Sequence, residues 1–144
     1  MNQKPKKKRG RPKLFSTPED LWNAFLNYKT WVEENPIKKH VFVGKDGDSA
    51  YEERQRCLSI DAFELYCFNN GIIKDFGHYF SNKDGRYDDY VAICSRIRKS
   101  TRAEQIEGGM AGIYNASITQ RLNNLTESTS LEVKTMVPLF PDVK

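Results

Sequence analysis

The chain has 144 residues, 38% hydrophobic and 12% aromatic, which suits one domain with tails and excludes a wholly disordered protein. Its net charge of +4 is unevenly placed: seven of the 23 lysines and arginines lie in the first thirteen residues, where there is no acid, so the other 131 residues carry 16 cations against 19 carboxylates. A mildly acidic body with a cationic leader excludes a uniformly basic nucleic-acid coat and points to a DNA-binding arm tethered to a scaffold.

The centre of that leader is Lys6-Lys7-Lys8-Arg9-Gly10-Arg11-Pro12-Lys13. Like charges this close repel, and no apolar side chain offers a core, so residues 1–14 are expected as an extended, solvated arm. Gly10 has no Cβ and lets the backbone lie close to a groove floor. Pro12 fixes its own φ and biases Arg11 toward extended geometry. Arg9 and Arg11 then project from a thin ribbon, a shape and charge suited to the narrow, electronegative minor groove of A·T-rich DNA. Arg9-Gly10-Arg11-Pro12 resembles the core of an AT-hook. The same charges also suit plain phosphate neutralisation, and Lys6 to Arg9 resembles a nuclear-import signal.

The body reads as mainly α with one inserted hairpin, an oligomerisation core spanning residues 15–126. Thr17 caps a helix from Pro18 to about Asn35, with Glu19 and Asp20 at its positive end and Pro36 beyond it. Leu21, Trp22, Phe25, Leu26, Tyr28 and Val32, widened by Trp31, form a stripe for a core or a subunit interface. His40–Val43 and Ser49–Leu58 flank the turn formers Gly44-Lys45-Asp46-Gly47, which predicts a β-hairpin at about 40–58. Asp46 and Asp48 lack the remaining ligand spacing of a calcium loop.

Ser59 caps a second helix, Ile60–Phe68, with Ile60, Phe63, Leu65 and Cys67/Phe68 as its apolar members; Gly71 follows its end. A short third helix, Lys74 to Ser81, carries Phe76, Tyr79 and Phe80. Helix, glycine-containing turn, helix is the spacing of a helix-turn-helix, with Lys74 and His78 toward DNA. Base-reading helices normally offer more Arg, Asn, Gln or Ser, so a packing corner is the better reading of the segment. The longest helix is expected from Tyr87 to about Glu107, with Tyr90, Val91, Ile93, Cys94, Ile97 and Ile106 inward. Arg96, Arg98, Lys99 and Arg102 cluster near its middle, either a solvated face or a second phosphate-contacting surface. Gly108, Gly109 and Gly112 mark a hinge or a close approach of backbones. A last helix, Met110 to Asn124, would turn Ile113, Ile118 and Leu122 inward. In 127–144, Leu131–Val137 alternates like a strand, and Pro138-Leu139-Phe140-Pro141 is a stiff apolar peptide suited to docking a partner or adding a strand in an oligomer.

Cys57, Cys67 and Cys94 form no short pairing pattern and read as reduced, buried small apolar residues in an intracellular setting. No apolar run approaches membrane-spanning length, and no hydrophobic signal region opens the chain. No phosphate-cradling loop, His-Glu-x-x-His or Gly-x-Ser-x-Gly occurs, which points to a binder without catalysis or cofactor of its own.

Taken in order, Phe15-Ser16-Thr17-Pro18-Glu19-Asp20-Leu21-Trp22, Tyr28 to Pro36 with its Trp31-Val32-Glu33-Glu34-Asn35-Pro36, the hairpin, Leu58-Ser59-Ile60, Phe76-Gly77-His78-Tyr79, Thr101 to Gln105 and Ala116-Ser117-Ile118 before Leu122 resemble the small subunit of bacteriophage terminase, of the DNA-packaging type in short-tailed phages. The similarity spans roughly residues 14–126. It implies a homo-oligomeric ring in the host cell cytoplasm that binds double-stranded viral DNA at the packaging-initiation site. It also implies delivery of that DNA to the large terminase subunit, which carries the ATPase and nuclease. The Arg-Gly-Arg-Pro arm is not a general feature of that family, and Pro138–Pro141 is not matched to it residue by residue. The competing expectation is an AT-hook-bearing chromatin or transcription regulator, monomeric or dimeric, that reads bases with its third helix. A metal-dependent nuclease would need a ligand cluster that the sequence lacks.

Overall fold

The computed structural model describes residues 13–73 and 76–125. The fold is mainly helical, with one two-stranded antiparallel hairpin and one long helix. The cationic leader before Lys13, Lys74, the alternating run 131–137 and the Pro138-Leu139-Phe140-Pro141 peptide lie outside the described residues.

Helix α1 (Pro18–Glu34) begins where its sequence predicts. The Thr17 hydroxyl accepts the Asp20 N–H at 3.2 Å and the Asp20 carboxylate accepts the Thr17 N–H at 2.9 Å, a reciprocal cap that satisfies two otherwise orphaned donors. Its inner face buries Leu21, Ala24, Phe25, Tyr28 and Val32. Strands β1 (Ile37–Val43) and β2 (Asp48–Arg54) pair with Val41 opposite Ala50, and Gly44 and Gly47 take the positive φ that the four-residue loop requires. The strands begin three residues before, and end four before, the bounds expected from sequence. Both hairpin faces are largely exposed, with His40 ringed by Phe42 and Tyr51.

Helix α2 (Ile60–Asn69) is capped by the Ser59 hydroxyl. The Tyr28 hydroxyl sits 3.3 Å from both the N and O of Ser59, tying the start of α2 to α1. The buried residues of α2 are Phe63 and Cys67; Leu65 and Phe68, expected inside, are exposed. Helix α3 is Gly77–Ser81 and ends where expected, at a left-handed Asn82, while Lys74, its expected start, lies outside the described residues. The long helix α4 (Val91–Met110) follows a 3-10 turn at Asp88–Tyr90, so it starts later than Tyr87 and runs through Gly108 and Gly109 rather than stopping at Glu107. Tyr90, Cys94 and Ile97 are buried as expected, whereas Val91 is exposed.

Helix α5 is Ala116–Leu122, half the expected Met110–Asn124. The two glycines explain why. A Cβ at Gly108 would strike the Tyr114 ring, and one at Gly109 would lie 2.8 Å from Thr119 Cγ2. The chain therefore turns after Met110 and folds back across α4 at close range. The Gly108 carbonyl accepts both the Ile113 and Tyr114 N–H groups. Ile113, Ile118 and Leu122, expected inward, are exposed; the buried residues here are Thr119 and Asn123.

The core is an aromatic column. Phe25 meets Phe63 edge-on at 5.4 Å, and Phe63 meets Phe76 at 5.0 Å. All three are fully buried, worth roughly 1.5–3 kcal/mol each, with about 0.5–1.5 kcal/mol more per ring pair. Cys67 and Cys94 lie among them as free thiols. Burial, with the Glu64 charge behind it, pushes Cys67 up to about 12, and burial pushes Cys94 to about 11, so both stay protonated. Cys57, expected buried, is half-buried near Glu104.

A polar lock joins the segment after β2 to α4 and α5. Gln105 Nε2 donates to the Leu58 carbonyl at 2.6 Å, its Oε1 accepts from Asn123 Nδ2 at 3.0 Å, and the Tyr114 hydroxyl donates to Glu104 Oε1 at 3.0 Å. Partial burial raises the Glu104 carboxyl above its ordinary 4.5 despite the Tyr114 bond. The folded chain therefore holds this proton more tightly than the unfolded one; the stabilisation is complete below the ordinary value and fades as pH rises through the folded one. Glu104→Gln, which keeps an acceptor for Tyr114, is expected to gain stability on the wild type as pH climbs above 4.5, with the gap closing below it, in urea titrations across pH. Thr101 Oγ1 is buried without a hydrogen-bond partner among the described residues. Thr101→Val removes that hydroxyl at nearly constant shape and is expected to raise stability by about 1 kcal/mol, read as a higher denaturant midpoint at unchanged slope.

Candidate nucleic-acid interface

Lys13, the first described residue, ends the cationic leader. Its ammonium lies 4.9 Å from the Tyr90 ring centre and 5.5 Å from that of Tyr87, with Asp89 Oδ2 at 4.0 Å. Two residues on, Phe15 is buried and clamped. Its N–H donates to the Tyr79 hydroxyl at 3.0 Å, and its carbonyl accepts from the Tyr90 hydroxyl at 2.7 Å. Its ring meets Tyr79 edge-on at 5.7 Å. Burial, followed by the neighbouring Tyr79 hydroxyl, raises Tyr90 above the usual 10 and keeps it a donor. The chain before Lys13 thus enters the body at one defined point, beside α3 and the turn that precedes α4.

Sequence reasoning assigned Tyr79 and Tyr90 to apolar packing alone. The available signal was tyrosine rather than phenylalanine at inward positions, since a buried phenol needs a polar partner. Which partner, 64 and 75 residues away in the chain, was not visible.

Four cations lie along α4. Arg96 and Lys99 line an open groove with Ala92, Ser95, Ser100 and Ala103. Arg102 is one turn from both Arg98 and Lys99. Three of the four are engaged with the body: the Arg96 guanidinium stacks 4.1 Å from the Trp22 ring, Arg98 Nη2 donates to the Phe80 carbonyl at 3.0 Å, and Arg102 Nη2 donates to the Asn123 carbonyl at 3.3 Å. Lys99 is exposed. In α3, Phe76 just before it and Tyr79 within it face the core and His78 faces out. Among the described residues no three His, Cys, Asp or Glu side chains gather as metal ligands. No described helix is long and apolar enough to cross a membrane.

The chain is similar to the terminase small subunit of Salmonella phage P22. The two are 24% identical over 123 residues, covering 85% of this chain and 73% of that protein. No protein-family model matches the chain. The similarity supports the phage-packaging likeness read from the order of segments and covers most of the body just described.

The clamp on Phe15 is testable. Tyr90→Phe leaves the Phe15 carbonyl buried without its donor, an expected loss of about 1–3 kcal/mol by chemical denaturation, whereas Tyr51→Phe on the exposed hairpin changes nothing measurable.

Proposed function

We propose that this chain is a small terminase subunit: copies assemble into a ring, bind viral double-stranded DNA at the packaging-initiation site through their N-terminal arms, and hand it to the large terminase subunit. The similarity over 85% of the chain carries the packaging role. The concentration of seven cations before an acidic body supports the arm as the principal DNA contact. In this reading Arg9 and Arg11 lie in the minor groove as an AT-hook would, and Lys6, Lys7 and Lys8 hold phosphates. Clamping Phe15 keeps each arm's root in register with the ring. Several weak arms on one ring gain avidity through effective concentration. Lys99 and Arg96 on the α4 groove offer a secondary phosphate contact, while the α2–α3 corner serves packing. The chain performs no catalytic step; cleavage and ATP hydrolysis belong to its large partner, with Pro138–Pro141 as the docking peptide.

The test is binding of full chain to A·T-rich duplex by fluorescence anisotropy, beside mass by light scattering. A closed assembly larger than a dimer is expected. Removing residues 1–12 should leave that mass unchanged and sharply weaken binding. With about six phosphates neutralised per arm, the log–log salt slope per engaged arm is expected near −5 and collapses on truncation. A monomer or dimer with strong base preference would instead favour the transcription-regulator reading. Binding that survives truncation would move the DNA contact to the Arg96–Lys99 groove.

A further inference from the structure

Helix α5 is amphipathic the wrong way round for an isolated chain. It turns Thr119 and, at its end, Asn123 into the body, where Asn123 Nδ2 donates to Gln105 Oε1 at 3.0 Å and to the Thr119 carbonyl at 3.0 Å. It leaves Ile118 and Leu122, one turn apart, 58% and 66% exposed, and Leu125, beyond the helix end and the left-handed Asn124, 40% exposed. A helix on a solvated surface does the reverse.

A second face has the same character. Helix α2 buries Phe63 and Cys67 on one side, yet Leu65 and Phe68 on the other side, and Ile72 just beyond it, are 60%, 54% and 37% exposed. Leu65 and Phe68, three residues apart, form a one-turn apolar patch on the outer side of α2, and Ile72 follows the turn at Gly71. The rims differ in sign. Asp61 heads the α2 stripe, one turn before Leu65, and Arg121 borders the α5 stripe; both are exposed, and neither makes an ion pair among the described residues.

We propose that the α5 stripe of one copy docks on the α2 stripe of the next, with Arg121 of the first facing Asp61 of the second. A second copy is the occupant because one chain carries both halves: two exposed apolar pairs, Leu65 with Phe68 and Ile118 with Leu122, each one helical turn long, with complementary charge at their rims. Two different surfaces meeting in this way make a head-to-tail contact, which repeats from copy to copy and closes into a ring when the rotation allows. The inference rests on the assembly half of the packaging reading and names the surfaces that would build it.

The test uses two full-length variants, Leu65→Ser/Phe68→Ser and Ile118→Ser/Leu122→Ser. All four side chains are exposed, so each variant is expected to keep the wild-type helical circular dichroism. By light scattering, each variant alone is expected at the mass of one chain. Mixed in equal amounts they should form a species of twice that mass and no larger, because the intact α5 stripe of the first meets the intact α2 stripe of the second and the remaining stripes are disabled. Assembly retained by either variant, or a mixture that stays monomeric, overturns the pairing. A wild-type ring that survives both variants would leave the packaging reading standing with its interface elsewhere. A monomeric wild-type chain would remove the assembly reading and this pairing together.

Discussion

The packing of one aromatic column holds the body together. Phe25 of α1, Phe63 of α2 and Phe76 beside α3 touch in sequence, and Tyr79 and Tyr90, in the same buried core, meet edge-on at the base of α4. Short helices such as α2 and α3 have little stability of their own, because nucleating a helix costs more than a few hydrogen bonds return. They persist here because their aromatic side chains are buried in common. Tyr79 and Tyr90 do a further job that phenylalanine could not. Their hydroxyls bind both backbone groups of Phe15, which converts a hydrophobic contact into a fixed attachment for the chain that precedes it.

That attachment gives the division of the molecule its physical meaning. The cations are concentrated before Phe15, while those of α4 are largely spent on the body: one over Trp22, one on the Phe80 carbonyl and one on the Asn123 carbonyl. The body holds each of these guanidiniums by a ring face or a carbonyl, although all three stay exposed and keep their full charge. Its own unfinished business is apolar: the outer sides of α2 and α5, together with the two-sided hairpin, expose side chains that an isolated globule would cover.

Much of the fold was legible from residues a few positions apart. Thr17 with Asp20, Ser59 with the Ala62 amide, and Gly44 and Gly47 at the hairpin loop all act within four residues of themselves, so the starts of α1 and α2 and the position of the hairpin followed from local chemistry. The errors came where distance matters. The periodicity placed Ile118 and Leu122 on one face but assigned that face to the core, and it took in Ile113, which lies in the turn before α5. The core side of α5 is decided by Gly109, which lets Thr119 approach, and by Gln105, which receives Asn123.

What the sequence determined by itself, then, is the chemistry of the cationic leader, the capped helices and the turn, because charge density, caps and positive-φ glycines depend only on near neighbours. The tertiary structure alone decided which side of each helix is covered, where the leader is anchored and which cations remain available. Periodicity says which residues share a face; only the approach of a distant segment, permitted by a missing Cβ or drawn in by an unsatisfied polar group, says which face is turned inward.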